Sequence, residues 1–268
     1  MPTKNATASR AEIVVTPLAT VSFRTNGEAL EAGVRDFTAA PWVSIALGSI
    51  YTVGGWMLAA FLLVFKLPFL VYPVAMGFAL VAPFVAVAFY DVSRALAAGE
   101  TPSVKRSWCA VCEAKNRDVR WMALITSFAF FVWMDIAAMI TLAFFGAAAL
   151  DLGELLREIG STSHGWVFLV VGHAVGAAIA LLVFSISVIS IPMLLDRDID
   201  VVTAIRTSVR LVTQNPLPLA LWCGTIAGTV IASIATGLLL LPVALPVLGY
   251  ASWHLYRKAV ADTASPER

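Results

Sequence analysis

Apolar residues along this chain are arranged in two ways: long stretches nearly free of charge, and shorter segments in which they recur every three or four positions. The long stretches fall near Pro41 to Phe65, Pro68 to Leu96, Trp121 to Leu150, Trp166 to Leu194, Pro216 to Thr236 and Gly237 to Tyr256. Each is long enough to cross a bilayer, whose hydrocarbon core of roughly 30 Å takes about twenty helical residues. Pro242 and Pro246 make the last stretch the one expected to be short, kinked or partly re-entrant.

The shorter segments precede the first, third and fifth stretches. Leu30, Val34 and Phe37 form an apolar stripe opposite Glu28, Glu31 and Arg35. Val104, Trp108 and Val111 oppose Lys105, Arg106 and Glu113, after Thr101 as a candidate N-cap and Pro102 at the first helical position. Val201, Ile205, Val209 and Val212 oppose Thr203, Arg206, Arg210 and Gln214. This spacing predicts amphipathic helices lying in a headgroup plane, apolar face down. The expected fold is therefore all-α and integral to the membrane. It has six transmembrane helices as three hairpins, each preceded by a cytoplasmic-side amphipathic helix. Residues 1–27 are expected to be a disordered cytoplasmic tail, 28–258 the six-span membrane domain and 259–268 a second cytoplasmic tail.

Charge orients this arrangement. Of eighteen Lys and Arg residues, all but Lys66 and Arg157 fall in segments that share one side if the six stretches each cross. Basic residues near span ends are retained in the cytoplasm, so both termini are expected there. Composition agrees: 60% of residues are hydrophobic and 13% charged, far from the soluble norm. A net charge of +1 gives no reason to expect nucleic acid, and the basic face is better suited to anionic lipid. Of the three cysteines, Cys109 and Cys112 fall in a cytoplasmic segment and Cys223 in a span, so no disulfide framework is expected.

The even-numbered stretches repeat as well. Pro83, Tyr90 and Arg94 stand at the same offsets as Pro246, Trp253 and Arg257, each placing an aromatic and then an arginine at the cytoplasmic exit. An interfacial belt with a snorkelling cation accounts for them, with ligand binding as the sharper alternative. Ala82 to Pro102 (APFVAVAFYDVSRALAAGETP), Ser190 to Ala204 (SIPMLLDRDIDVVTA), Asn215 with Pro216, and Leu245 to Arg257 (LPVLGYASWHLYR) together resemble an uncharacterised family of bacterial integral membrane proteins, domain of unknown function 2189. The resemblance covers roughly Gly33 to Lys258. It implies a six-span protein of a bacterial inner membrane and carries over no activity or catalytic residue.

Candidate chemistry is sparse. Asp135 is the one acidic residue clearly inside a stretch, where a charge costs about 3 kcal/mol. It lies fourteen residues past Trp121, about 21 Å along a helix, and His173 lies seven residues past Trp166, about 10 Å from the opposite face. The levels coincide, so Asp135 and His173 are the candidate intramembrane polar pair, either a structural contact or part of a proton or cation path.

The segment Trp108 to Cys112 (WCAVC) is similar to the Trp-Cys-x-x-Cys of thioredoxin-like enzymes but lacks the βαβ setting, and two thiols are too few for a structural zinc site. Asp196, Arg197, Asp198 and Asp200 are read as a cap with local ion pairing rather than a cation site. The pairs Gly172 with Gly176 and Gly224 with Gly228 have helix-packing spacing. Ser185, Ser187 and Ser190 lack a base within reach, since His173 is twelve residues from Ser185, about 18 Å along the helix. No catalytic site, cofactor or metal is assigned. The expectation is a non-enzymatic accessory, scaffold or lipid-interacting membrane component, with a small-solute, proton or lipid transporter using Asp135 and His173 as the alternative. The expected partners are membrane lipids, anionic ones at the cytoplasmic face, and a second copy or an unidentified membrane protein.

Overall fold

The computed structural model describes residues 18–65, 86–113, 117–146 and 152–261, and these contain helices and connecting turns but no strand. In chain order the helices are α1 (Phe23–Ala39), α2 (Pro41–Phe65), α3 (86–97), α4 (Val104–Glu113), α5 (Arg117–Phe145), α6 (Leu152–Ser161), α7 (Ser163–Ser187), α8 (Ser190–Asp196), α9 (Val201–Gln214), α10 (Pro216–Ala235) and α11 (Leu241–Ala261). Four runs are long and apolar enough to cross a membrane: Pro41–Phe61, Asp118–Phe145, Ser163–Asp196 and Pro216–Ala235. Most of the second expected span, residues 68–85, lies outside the described residues.

Capping chemistry explains where α1 and α9 begin. The Ser22 side chain accepts from the Thr25 N–H at 3.2 Å while Thr25 Oγ1 accepts from the Ser22 N–H at 3.1 Å, a reciprocal box. Asp200 caps α9, accepting from the N–H and hydroxyl of Thr203 at 3.0 and 2.6 Å. These two bonds also hold its carboxyl below the usual carboxylate range. Both helices end alike, at Ala40 (φ −136°, ψ 57°) and Asn215 (φ −132°, ψ 57°), each followed by a proline that starts the next helix. Proline lacks the N–H to continue α1 or α9 but is pre-organised for a first helical position. The first and third repeats thus share a joint as well as a pattern.

The buried side of these helices differs from their apolar stripe. On α1 the buried residues are Asn26, Ala29, Ala32, Gly33 and Asp36, while Val34 is exposed. On α9 they are Ala204, Thr207, Ser208 and Leu211. On α4 Ser107 is buried and Val104 and Trp108 are exposed. Gly33, Ser107 and Ser208 occupy the same register in the three segments, just before the middle residue of each stripe. Small residues form the seam because they let backbones approach, and apolar surface gains little by leaving lipid.

What the seam touches recurs too. A Cβ added at Gly33 would stand 2.6 Å from the Val247 carbonyl oxygen of α11, and Ser107 Oγ donates to Asp91 of α3 at 3.2 Å. Ser208 Oγ donates to the Ser185 carbonyl at 2.8 Å and accepts from the Ile189 N–H at 3.4 Å. That hydroxyl bridges the one-turn bond broken where α7 gives way to α8.

Contacts among the described residues reach past both expected domain boundaries, 27 and 258. Val21 is buried with its N–H donated to Asn215 Oδ1 at 2.9 Å, and Ala19 donates to the Ala259 carbonyl at 2.9 Å. Likewise α11 runs on to Ala261 with Ala259 and Val260 buried, past the expected end at residue 258. Moreover, α11 packs mainly on α1 and α2 rather than on its sequence neighbour α10. The turn between α10 and α11 is instead held by α2, where Trp56 Nε1 donates to the Gly237 carbonyl at 2.7 Å and Thr52 Oγ1 to that of Leu238 at 3.1 Å.

Gly33→Leu should lower stability by at least the roughly 1–3 kcal/mol typical of overpacking, because the obstacle is backbone. Gly27→Ala, which meets nothing within 4 Å, should leave it unchanged. Thermal unfolding of the purified protein in detergent measures both.

Candidate functional site

Three helices meet at one end of the bundle: α3, the last turn of α8 and the middle turns of α11. Tyr90 and Trp253 stack there with ring centroids 5.8 Å apart, at 8% and 4% exposure. Burial removes them from any interfacial belt. Gly249 brings α11 onto the Phe89 ring, and Tyr256 Oη donates to Asp196 of α8 at 2.7 Å. The repeated aromatics are the contact between repeats.

Two carboxylates anchor this junction. Asp36 of α1 accepts from Ser93 Oγ of α3 and from His254 Nε2 of α11, both at 2.7 Å on Oδ2. A proton must therefore sit on Nε2 of His254. The carboxylate lies between hydroxyl and imidazole, so His254 is not placed to activate Ser93 as a triad base would be.

Asp91, 5% exposed, faces the other way, since it stands two residues and about 200° around α3 from Ser93. Its contacts are long: Ser107 Oγ at 3.2 Å, Arg94 at 3.4 Å and Arg106 at 3.6 Å. Arg106 also pairs with Glu100. Beside Asp91 lies a cavity of about 170 Å³ lined by Val87, Tyr90, Asp91, Arg94, Ala110, Leu195 and Trp253. The junction is further tied by Lys258 to Glu28, whose carboxyl is held below 4.5 by its hydrogen bonds to Lys258 first and Arg24 second.

The residues singled out from the sequence are elsewhere. His173 lines a larger cavity of about 560 Å³ between α5, α7 and α10, with Trp133, Ala137, Gly172, Gly176 and Ile231. Its Nδ1 lies 2.7 Å from the Leu169 carbonyl of its own helix. Asp135 is exposed on α5, about 160–200° around that helix from Trp133 and Ala137. The two residues stand on different sides of α5.

Cys109 is exposed on α4, and Cys112 lies among residues whose side chains are not described. Ser185, Ser187 and Ser190 each donate to the carbonyl four residues earlier in their own chain segment. Gly176 packs under the Trp133 ring, whereas Gly224 and Gly228 face open space.

Asp36, Asp91, Ser93 and His254 were not found from the sequence. Asp91 within Tyr90-Asp91-Val92-Ser93-Arg94 is a carboxylate inside an apolar run, the criterion that selected Asp135. It stands near the expected end of the second stretch, whereas Asp135 stands well inside the third.

Residues 71–196, a little under half of the chain, match the model of a family described as predicted integral membrane protein, domain of unknown function 2189. This is the family that the sequence motifs resemble. The match contains all of Ala82 to Pro102 and the start of the second motif, Ser190 to Asp196. No curated protein and no solved structure matches the chain.

Asp36→Ala should cost about 1–3 kcal/mol by stranding the buried Ser93 hydroxyl and the half-buried His254 ring, and Asp36→Asn less; denaturation in detergent measures the difference. Glu28 stabilises above its ordinary pKa, and that contribution is lost as pH falls through the lowered value. The acid-side fall in melting temperature below about pH 5 should therefore be shallower in Lys258→Met, by a small margin because the pair is solvent-accessible.

Proposed function

We propose that this integral membrane protein is a non-enzymatic, lipid-interacting component of a bacterial inner membrane. In this reading it crosses the membrane six times in three hairpins with both termini cytoplasmic. Of its three interfacial helices (α1, α4 and α9), α1 and α4 carry exposed apolar residues, Val34, Val104 and Trp108, toward the inner headgroups.

The observation that carries the reading is the cavity of about 560 Å³ between α5, α7 and α10. Its wall is aliphatic and aromatic apart from Thr141 and His173. The outer faces of the same helices expose Phe128, Met139, Val170, Leu182, Ile231 and Ile234. The medium at its mouth is then bilayer hydrocarbon, and the occupant is a phospholipid acyl chain. An aqueous solute would find almost no hydrogen-bonding partner there.

Gly172 lines this cavity, and among the described residues nothing lies within 4 Å of an added Cβ, so Gly172→Phe directs its side chain into the cavity from a site with room for the first atom. Purified in mild detergent, that variant should keep its melting temperature and retain markedly less phospholipid by phosphorus assay. Equal retention would reject the reading. Transport is the second reading, favoured by His173 on the cavity wall. Proton-coupled uptake in proteoliposomes that is lost in both Asp135→Asn and His173→Ala would replace the lipid-binding role with transport.

A further inference from the structure

From the cavity where α3, α8 and α11 converge, we infer a binding site for a zwitterion in which a primary ammonium is joined to a phosphate, as in phosphoethanolamine and its phospholipids. The inference rests on the lipid-interacting reading and supplies its headgroup specificity.

The ammonium site is Asp91. Within one structure two buried carboxylates are treated differently: Asp36 has two partners at 2.7 Å, while the contacts of Asp91 among the described residues lie between 3.2 and 3.6 Å. A buried carboxylate held at such distances has room for a donor that makes shorter, better-aligned bonds. It also lines an open volume of about 170 Å³, so a ligand can supply what the protein withholds. A primary ammonium brings three N–H donors and a full charge, which makes short, charge-assisted bonds to a carboxylate. The Tyr90 and Trp253 rings line the same cavity, and aromatic walls suit an organic ammonium.

The phosphate site is the rim. Arg94 lines the cavity with its side chain 53% exposed, and Arg106 stands beside Asp91. Arg94 binds the carboxylate at long range and can turn to a phosphate, for which the guanidinium fork is the better match, while Arg106 stays paired with Glu100 and adds its charge to the rim. A phosphate headgroup without an ammonium satisfies the arginines but offers Asp91 no cation, which sets the preference. The convergence matters because each of the three even-numbered segments contributes: Tyr90, Asp91 and Arg94 from the first, Leu195 from the second and Trp253 from the third.

Titration calorimetry on the full chain in detergent tests this with short-chain phosphatidylethanolamine, short-chain phosphatidylglycerol, free phosphoethanolamine and inorganic phosphate. Phosphatidylethanolamine should bind about ten-fold or more tighter than phosphatidylglycerol. Asp91→Asn should bring the two within about two-fold, and Arg94→Gln should weaken both while keeping the preference. Free phosphoethanolamine binding as tightly as the lipid would identify a soluble ligand, and weak binding by it a membrane headgroup; either supports the site. Equal wild-type affinities for the two lipids overturn it, as does a preference surviving in folded Asp91→Asn. Should Asp91→Asn fail to fold, unchanged binding by Arg94→Gln overturns it. Phospholipid retained by the wild type under the same conditions, together with lost preference, would sink this inference and leave the lipid-interacting reading standing.

Discussion

The close approach of α1 to α11 at Gly33 is the constraint on which the rest of the structure depends. Only a residue without a side chain fits where the Val247 carbonyl comes this near. That approach brings Asp36 within reach of His254, and through Ser93 it draws in α3. The first and last segments of the chain are thereby locked together, with Lys258 on Glu28 and Ala19 on Ala259 closing the same seam from the other side. In lipid, where apolar surface has little to gain from burial against protein, close backbone contact and buried polar bonds are the interactions that distinguish one helix arrangement from another.

The seam is also a rule that the chain applies more than once. Gly33, Ser107 and Ser208 share a register, and each meets the end of an even-numbered segment: α11, α3 and the break between α7 and α8. At the first of these the contact is bare packing, at the second a hydroxyl on a carboxylate, and at the third a hydroxyl spliced into a helix. One geometry thus tolerates three chemistries. The second of them leaves a charged group, Asp91, incompletely paired beside a cavity.

The two ends of the molecule follow different physics. Where α3, α8 and α11 converge, large side chains such as Trp222, Tyr256, Met193 and Leu211 are fully buried, and the polar bonds between segments gather there. Along α5, α7 and α10 the helices hold together through contacts such as Gly176 under Trp133, and their outer faces are apolar and exposed. Specificity for a polar group belongs to the first region, and room for a hydrocarbon chain to the second.

Much of the helical plan was legible in the sequence because helix rise, proline position and capping chemistry are local. Asp200 and the prolines at 41 and 216 act within a turn of where they stand, and long apolar runs announce membrane crossing by length alone. The most buried positions were not legible: in the stripes Leu30-Val34-Phe37 and Val104-Trp108-Val111 the conspicuous residues are apolar and at most half-buried, while Gly33 and Ser107 beside them are buried. Whether a small residue is a seam or a gap depends on which helix lies opposite, and that is set by distant segments. Asp36 and His254 stand at opposite ends of the chain, and Asp91 gained its cavity only when Leu195 and Trp253 were brought to it. The sequence by itself determined the all-helical plan and the apolar lengths, because these follow from short-range geometry and from the bilayer as solvent. The tertiary structure alone decided which charges are paired tightly and which are left for a ligand, because pairing is a property of what folding brings near.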